Sequence, residues 1–316
     1  MKELKILGVV AAFTLLLYWG VEPFAHGQMH KHVEGHGFVY DGTADIEGAT
    51  SAEKKEAKKA FWGEVNEIAK LEGNAAAGEA GFAMCMGCHM DGAAAMGGVV
   101  PPSLDHAGAL YDKKYLIALI KDPAMAMNTD HKFADTMMHP MGPVMTMFMD
   151  NQSIADVVAY LKEKKAAEPT TKEAFTEACG RCHAMRYAKM TQLGDTPEFK
   201  YEKDALAHQI KVLEAQDGVK GYMGKLPPDL SIIIRARSAH FLETFVENPQ
   251  TQLAGTSMPR VGLNKEGYEK VEAYLTEIGD PSKPKREELG PYVLLFFVVF
   301  SFLAFLWKKY QWRDLH

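Results

Sequence analysis

The chain has 316 residues, of which 47% are hydrophobic and 24% are charged, and this composition excludes both a disordered protein and a many-pass membrane protein. The formal net charge of −6 gives no electrostatic reason to expect nucleic acid as a partner. With only four cysteines and enough length to bury a core, the chain is not a small disulfide-stabilised scaffold either. Its length suggests about two domains.

The first segment of interest is an uncharged apolar run at residues 6–21, preceded by Lys2 and Lys5. At about 1.5 Å per residue the run spans roughly 24 Å, which is short for a bilayer core of about 30 Å. It suits a signal peptide or a membrane anchor, and the lack of a small-x-small cleavage site after Val21 favours the anchor. We therefore predict an N-terminal membrane anchor (or signal peptide) over residues 1–21 and a linker over residues 22–50.

The motif C-x-x-C-H occurs twice, as C-M-G-C-H at residues 85–89 and as C-G-R-C-H at residues 179–183. Its two copies contain every cysteine of the chain. C-x-x-C-H is the attachment motif of c-type haem, in which two thiols form thioethers and the adjacent imidazole reaches the iron. The sequence therefore predicts two covalently bound haem c groups. The predicted haem-binding residues are the thiols of Cys85, Cys88, Cys179 and Cys182 and the iron ligands His89 and His183.

The cysteines allow two other interpretations. A single zinc bound by all four thiols leaves both histidines unexplained and joins motifs that are far apart in the chain. Two disulfides, or redox pairs of the thioredoxin type, would need a βαβ context that the sequence does not show.

Helical signals surround the two motifs in the same order. Thr50-x-x-Glu53 and Thr170-x-x-Glu173 resemble capping boxes, and the first predicts a charged helix that ends near residue 73. The segments 154–162 and 268–276 share V-x-A-Y-L at helical spacing. Asp150 precedes the first of these segments and Asn264 precedes the second, and both are suited to cap a helix N-terminus.

The order helix, C-x-x-C-H, long loop and capped A-Y-L helix resembles the class I cytochrome c domain, twice over. The resemblance implies an all-α fold, with a first cytochrome c domain at residues 51–165 and a second at residues 166–280. It also implies a sixth iron ligand in the loop before each last helix. In the second domain this ligand is Met258 of a Met-Pro pair; in the first it is Met145 of an M-x-x-F segment, with Met147, Met141 and His139 left open. The second domain has an insertion between its two ligands, expected within residues 190–225.

The segment L-P-P-D-L-S-I-I-I-R-A-R at residues 226–237 resembles cytochrome c1, the haem subunit of cytochrome bc1 complexes, and P-P-S-L-D at residues 101–105 is a milder version of it. The likeness covers residues 171–308, whereas the first domain and the first anchor look like the dihaem version found in some bacterial bc complexes. By this resemblance Arg237 would face a haem propionate, where a guanidinium can form two hydrogen bonds. The alternative is that Arg235 and Arg237 lie on a solvated helix surface.

The resemblance implies a dihaem cytochrome c subunit of a quinol–cytochrome c reductase, which transfers electrons and is not a self-sufficient enzyme. The expected partners are a cytochrome b subunit, a Rieske iron–sulfur protein as donor, and a cytochrome c or a terminal oxidase as acceptor. Two alternatives stay open: the dihaem subunit of a cytochrome c oxidase and a dihaem peroxidase. The oxidase subunit usually has an N-terminal anchor only, and the peroxidase would need one five-coordinate haem.

The last segment is a polar linker at residues 281–290, followed by a second uncharged run. We predict a C-terminal transmembrane helix at residues 291–308, bordered by Tyr292 and Trp307 and followed by lysines and an arginine. Basic residues flank both hydrophobic runs on their terminal sides, which predicts two cytoplasmic termini. The haem domains would then lie on the periplasmic side of the inner membrane.

Overall fold

The structure is a computed structural model that describes residues 2–25, 38–90, 92–133, 135–148, 150–164 and 168–313. Part of the predicted linker 22–50, residues 26–37, and residues 165–167 at the predicted domain boundary lie outside the described residues. The fold is mostly helical, as predicted, and it also contains one short antiparallel hairpin.

The helices are α1 (Lys2–Ala25), α2 (Thr43–Glu47), α3 (Ala52–Ile68), α4 (Ala75–Cys85), α5 (Ala107–Leu110), α6 (Lys113–Lys121), α7 (Pro123–Ala126), α8 (Asn151–Glu163), α9 (Thr171–Phe175), α10 (Glu202–Met223), α11 (Ile233–Ala236), α12 (Ala239–Glu247), α13 (Pro249–Gln252), α14 (Lys265–Gly279) and α15 (Lys283–Gln311). Strands β1 (Met190–Thr191) and β2 (Gly194–Asp195) pair with each other. Short 3₁₀ turns lie at Asp130–Lys132, Thr136–Met138, Gly142–Thr146 and Arg186–Ala188. A π-helical turn, Leu17–Val21, lies within α1, and a second one, Thr176–Gly180, extends α9.

The first and last helices are long and apolar enough to cross a membrane, by length and composition. Within the described residues, none of the residues in the most apolar stretch of either helix is buried against the rest of the protein. The last helix begins at Lys283, and most of the predicted linker 281–290 is therefore helical. At the two chain ends Lys308 Nζ lies 3.5 Å from Glu3 Oε2.

One hydrophobic core forms where α4 crosses α8. Gly78 of α4 permits the close approach, because a Cβ built there would lie 2.0 Å from the backbone oxygen of Asp156. Beside this crossing the rings of Phe82 and Tyr160 pack with centroids 5.1 Å apart. The tyrosine of the first V-x-A-Y-L segment thus contacts the helix that leads into the first Cys-Cys-His motif.

A second core forms in the same way where α9 crosses α14. Phe175 and Tyr274 pack with centroids 5.1 Å apart, as the aromatic pair of the first core does. Phe175 stands one residue further from its motif than Phe82 does, and the π-helical turn Thr176–Gly180 begins directly after Phe175 and includes Cys179. A π-helical turn accommodates one extra residue within a helix, so the two cores share a contact despite the different spacing.

The helix caps test the sequence predictions directly. Asp150 accepts from Ser153 N at 2.8 Å and Asn264 accepts from Gly267 N at 2.7 Å, which confirms both N-caps. The capping box of Thr170 is also confirmed. The prediction for Thr50 is wrong: the adjacent Ser51 caps α3, and this helix ends at Ile68 instead of near residue 73.

The second motif is followed by β1, β2 and α10, which occupy the region where the insertion was expected. Helix α10 packs on the part of the chain that follows the first motif. Its Gly218 meets Gly98 so closely that a Cβ on Gly98 would lie 2.2 Å from Gly218 O. Near its C-terminus the Tyr222 carbonyl accepts from Lys132 Nζ at 3.0 Å. Helix α10 therefore joins the two halves of the chain.

Candidate functional site

The first Cys-Cys-His motif begins at the last residue of α4. The amides of Cys88 and His89 donate to the carbonyl oxygen of Cys85, at 3.1 and 3.0 Å. Residues three and four apart on a helical turn lie on one face. The turn therefore presents two thiols and an imidazole on the same side, as covalent attachment of one flat group requires.

The imidazole of His89 has a fixed orientation. Its Nδ1 lies 2.8 Å from the carbonyl oxygen of Pro102, and because a carbonyl only accepts, Nδ1 is the nitrogen with the proton. Burial lowers the pKa of His89, and the nearby charge of Arg181 acts in the same direction. The ring is thus neutral at pH 7 and keeps the Nε2 lone pair for a metal.

The second motif repeats this geometry. The amides of Cys182 and His183 donate to the Cys179 carbonyl oxygen at 3.1 and 2.9 Å. His183 Nδ1 lies 2.8 Å from the carbonyl oxygen of Pro228, and burial lowers the pKa of this histidine too. The same nitrogen of each histidine is therefore held by a proline carbonyl, which leaves both Nε2 atoms available.

Sequence reasoning missed the role of these two prolines. Each is the second member of a Pro-Pro pair, but it follows its histidine by 13 residues in the first motif and by 45 in the second. In the second loop Asp229 Oδ2 accepts from Arg186 N at 3.0 Å, so the loop after Pro228 is bound to the segment after His183. The shared Pro-Pro pair was the available signal.

None of the four cysteines forms a disulfide with another. Among the described residues no group of three or more His, Cys, Asp and Glu side chains could hold a metal ion by itself. Within those residues, no such cluster supports the interpretation that the four cysteines bind zinc.

The surroundings of the motifs fit a haem. Large apolar side chains next to the first motif are exposed, at Met84, Met86, Met90 and Met96, and a flat apolar group held by Cys85 and Cys88 could cover them. Between the cysteines of the second motif, Arg181 has a buried Nε without a hydrogen-bond partner within the described residues. A guanidinium in that position suits a carboxylate such as a haem propionate.

The predicted sixth ligands lie in irregular segments before the last helix of each half. Met145 is half-buried in the 3₁₀ turn Gly142–Thr146, and Phe148 of the same M-x-x-F segment is buried against Gly81 of α4. Met258 is half-buried, and its amide donates to Thr256 Oγ1 at 3.4 Å. Both methionines stay predicted ligands.

The alternative ligand His139 is engaged with other groups. Its Nδ1 accepts from Met141 N at 3.0 Å, and its Nε2 lies 3.2 Å from the hydroxyl of Tyr222. Burial and the charge of Lys132 lower the pKa of His139 to about 4. Both ring nitrogens have protein partners, which makes His139 a weaker choice than Met145.

Arg237 lies on the surface after α11, with its guanidinium carbon 5.5 Å from the ring centroid of Phe241. Its neighbour Arg235 pairs with the buried Asp280 at 3.1 Å. The propionate contact of Arg237 stays a prediction.

The two motif regions meet through a buried pair of side chains. His106, which follows the first Pro-Pro loop, contacts Glu177 Oε1 through Nδ1, and Glu177 lies two residues before Cys179. Burial raises the pKa of Glu177, although the contact with His106 opposes this shift.

Residues 75–165 match the family model of cytochrome c. The chain contains a cytochrome c domain. This match includes Cys85, Cys88, His89 and Met145, so a covalently bound haem c belongs to this part of the chain. The chain is therefore a cytochrome c-type electron-transfer protein.

Two curated relatives are distantly similar to the chain. The ammonia monooxygenase gamma subunit of Nitrosomonas europaea is 29% identical over 190 residues, which cover 45% of this chain and 80% of that protein. Cytochrome c1 of Allochromatium vinosum is 24% identical over 202 residues, which cover 45% of this chain and 82% of that protein. No solved structure matches the chain.

Proposed function

We propose that this chain is the dihaem cytochrome c subunit of a quinol–cytochrome c reductase, and that it passes electrons from a Rieske iron–sulfur protein to a cytochrome c or an oxidase. The observation that supports this most is the repeated site: His89 and His183 follow paired cysteines, and a proline carbonyl holds Nδ1 of each ring. One site lies within the cytochrome c match and the other in the segment that resembles cytochrome c1.

When bound, haem c supplies a one-electron iron couple. The chain would anchor the first group with Cys85 and Cys88 and the second with Cys179 and Cys182. The proline carbonyls fix each imidazole in the tautomer that can bind iron. Met145 and Met258 would complete the two axial pairs, and a thioether ligand favours the reduced metal.

The contact between the two motif regions supports electron exchange within the chain. His106 and Glu177 are both largely buried at that contact. The two adjoining sites suit a protein that accepts an electron at one haem and donates it from the other. A filled sixth position at both sites would leave no open position for a substrate.

The two candidate membrane helices support attachment to the inner membrane, with the haem sites on the periplasmic side and a cytochrome b subunit as neighbour. The contact between Lys308 and Glu3 is consistent with two termini on the same side. The basic residues near both chain ends favour the cytoplasm for that side.

A second candidate follows from the similarity to the ammonia monooxygenase gamma subunit. In that case the chain would be an electron-transfer subunit of a monooxygenase. The dihaem oxidase subunit and the peroxidase are the remaining alternatives.

The test is a mild-detergent purification from the native membrane, followed by optical difference spectra and low-temperature EPR. A b-type haem band together with a Rieske [2Fe–2S] signal would support the reductase. Haem c accompanied by copper, without a Rieske signal, would refute it in favour of an oxidase.

The number of haem c groups per chain can be tested independently. A pyridine haemochrome assay should give two haem c per chain, and the paired Cys179→Ala and Cys182→Ala substitutions should reduce this number to one. The matched substitutions Cys85→Ala and Cys88→Ala should do the same. One haem in the unmodified chain would refute the dihaem assignment.

A further inference from the structure

The loop that contains Met258 is fastened by a buried ion pair to a distant segment of the chain. Arg260, two residues after Met258, donates from Nη1 to Asp45 Oδ2 at 3.0 Å and from Nη2 to Asp45 Oδ1. The two side chains are 1% and 2% exposed. Trp62 Nε1 donates to the same Asp45 Oδ2 at 2.9 Å, so this carboxylate is fixed from a second direction.

The backbone after Met258 is bound to the same half of the chain. Arg260 N donates to Met127 O at 3.0 Å, and the Arg260 carbonyl accepts from the hydroxyl of Tyr115 at 2.9 Å. Two residues further on, Gly262 O accepts from Asp112 N at 3.0 Å. All of these partners precede α8, so the first half of the chain holds this side of the loop.

The side of the loop before Met258 is held within the second half. Gln250 Nε2 donates to Thr256 O at 2.7 Å, and Gln250 Oε1 accepts from Gly255 N at 2.9 Å. Met258 thus stands between two anchors, of which one belongs to its own half and the other depends on Asp45.

The contact between Asp45 and Arg260 is sensitive to substitution because both of its charges are buried. A bidentate contact between a guanidinium and a carboxylate fixes direction as well as distance. Without the carboxylate, Arg260 would be a buried and uncompensated charge, and the loop would have to move to expose it. Since Met258 is two residues from Arg260 in the same loop, such a movement would also displace the Met258 thioether from its position as a ligand.

We infer that Asp45 is a positioning residue for Met258: through Arg260 it holds the loop of the second site in place from α2, at the start of the first half. The ligation of the second iron then depends on the segment that leads from the first candidate membrane helix into the domains. This inference rests on the proposed role of Met258 as a sixth ligand.

The test uses the full-length dihaem protein in detergent with the substitution Asp45→Asn, which keeps an oxygen for Trp62. We expect the near-infrared charge-transfer band of methionine-bound ferric haem to weaken by half, and one of the two reduction potentials to fall. After reduction, carbon monoxide should bind one haem. Hydrogen–deuterium exchange should accelerate at residues 253–264.

Two controls separate positioning from general damage. Glu67→Gln removes a carboxylate from the exposed pair of Glu67 and Lys70 and should change none of these signals. The double substitution Asp45→Asn with Arg260→Leu removes both buried charges without adding another thioether to the loop. It should recover thermal stability without recovering methionine ligation, and recovery of both would contradict a positioning role.

Met258→Ala is the reference for complete loss of this ligand, because it should remove the half of the charge-transfer band that Met258 contributes. If Met258→Ala does so but Asp45→Asn changes neither band, potential nor exchange, the inference is wrong and the ligand assignment stands. If Met258→Ala changes nothing, both are wrong. If Asp45→Asn does not fold, Tyr115→Phe decides: it removes only the bond to the Arg260 carbonyl and should give a smaller shift in the same direction.

Discussion

The crossing of α4 and α8 gives a quantitative test of how the first Cys-Cys-His motif is supported. Gly78 lies at that crossing, and a Cβ there would be 2.0 Å from Asp156 O and 2.9 Å from Val157 N. Ordinary contact begins at 3.4 Å, so in Gly78→Ala the two backbones must separate by about 1.4 Å. Backbone atoms cannot rotate away as a flexible side chain could.

Two opposing effects decide the outcome for Gly78→Ala. Alanine in a helix interior is favoured over glycine by about 1 kcal/mol. Overpacking a well-packed core costs about 1–3 kcal/mol, and here it would also loosen the contact between Phe82 and Tyr160. Because the clash is with backbone atoms, we take the upper end of that cost, about 3 kcal/mol. After the gain in helix propensity this leaves a net loss of about 2 kcal/mol, which lowers Tm by roughly 8 °C.

The assay is thermal denaturation of the haem-loaded protein, followed by helical circular dichroism. Gly63→Ala in α3 is the matched control, because a Cβ on Gly63 meets no atom within 4 Å. That control should raise Tm, since only the helix propensity changes. A Gly78→Ala protein as stable as wild type would refute the packing argument.

The remaining predictions concern one partly buried carboxyl group and one hydrogen bond. Burial, with a contribution from Glu243, raises the pKa of Glu247 from 4.5 to about 7. The folded protein should therefore become less stable as pH rises through this interval, by about 1 kcal/mol once solvent screening of this partly exposed side chain is allowed for. Glu247→Gln should remove most of that loss, and urea unfolding at pH 5 and pH 8 measures it; an unchanged pH dependence would contradict the assignment. Tyr222→Phe leaves His139 Nε2 without its hydroxyl partner and should lower the free energy of unfolding by about 1 kcal/mol, also measured in urea. A loss below 0.2 kcal/mol would show that this contact between α10 and the first half contributes little.

Local features of the fold were predictable from the sequence. Asp150, Asn264 and Thr170 cap their helices as predicted, because an N-cap depends on residues within one turn. The same locality explains the error at Thr50. Its neighbour Ser51 has a hydroxyl as well, and the pattern alone did not distinguish which of the two would accept from Lys54 N.

Contacts between distant segments were not predictable. Arg260 and Asp45 are 215 residues apart, and His106 and Glu177 are 71 apart. No periodicity or spacing relates the members of either pair, because each contact arises only when the two halves of the chain meet. The sequence therefore identified the thiols and imidazoles of the candidate sites but not the groups that hold them.

The π-helical turn that contains Cys179 has a consequence for the helical register of the second half. A helix turns by about 100° per residue, so an extra residue in a regular helix would rotate the second motif away from the face that Phe175 shares with Tyr274. The wide turn confines the extra residue to Thr176–Gly180 and leaves this aromatic contact intact. Deletion of one residue from the turn, not substitution, is therefore the change that would give the second half the helical register of the first.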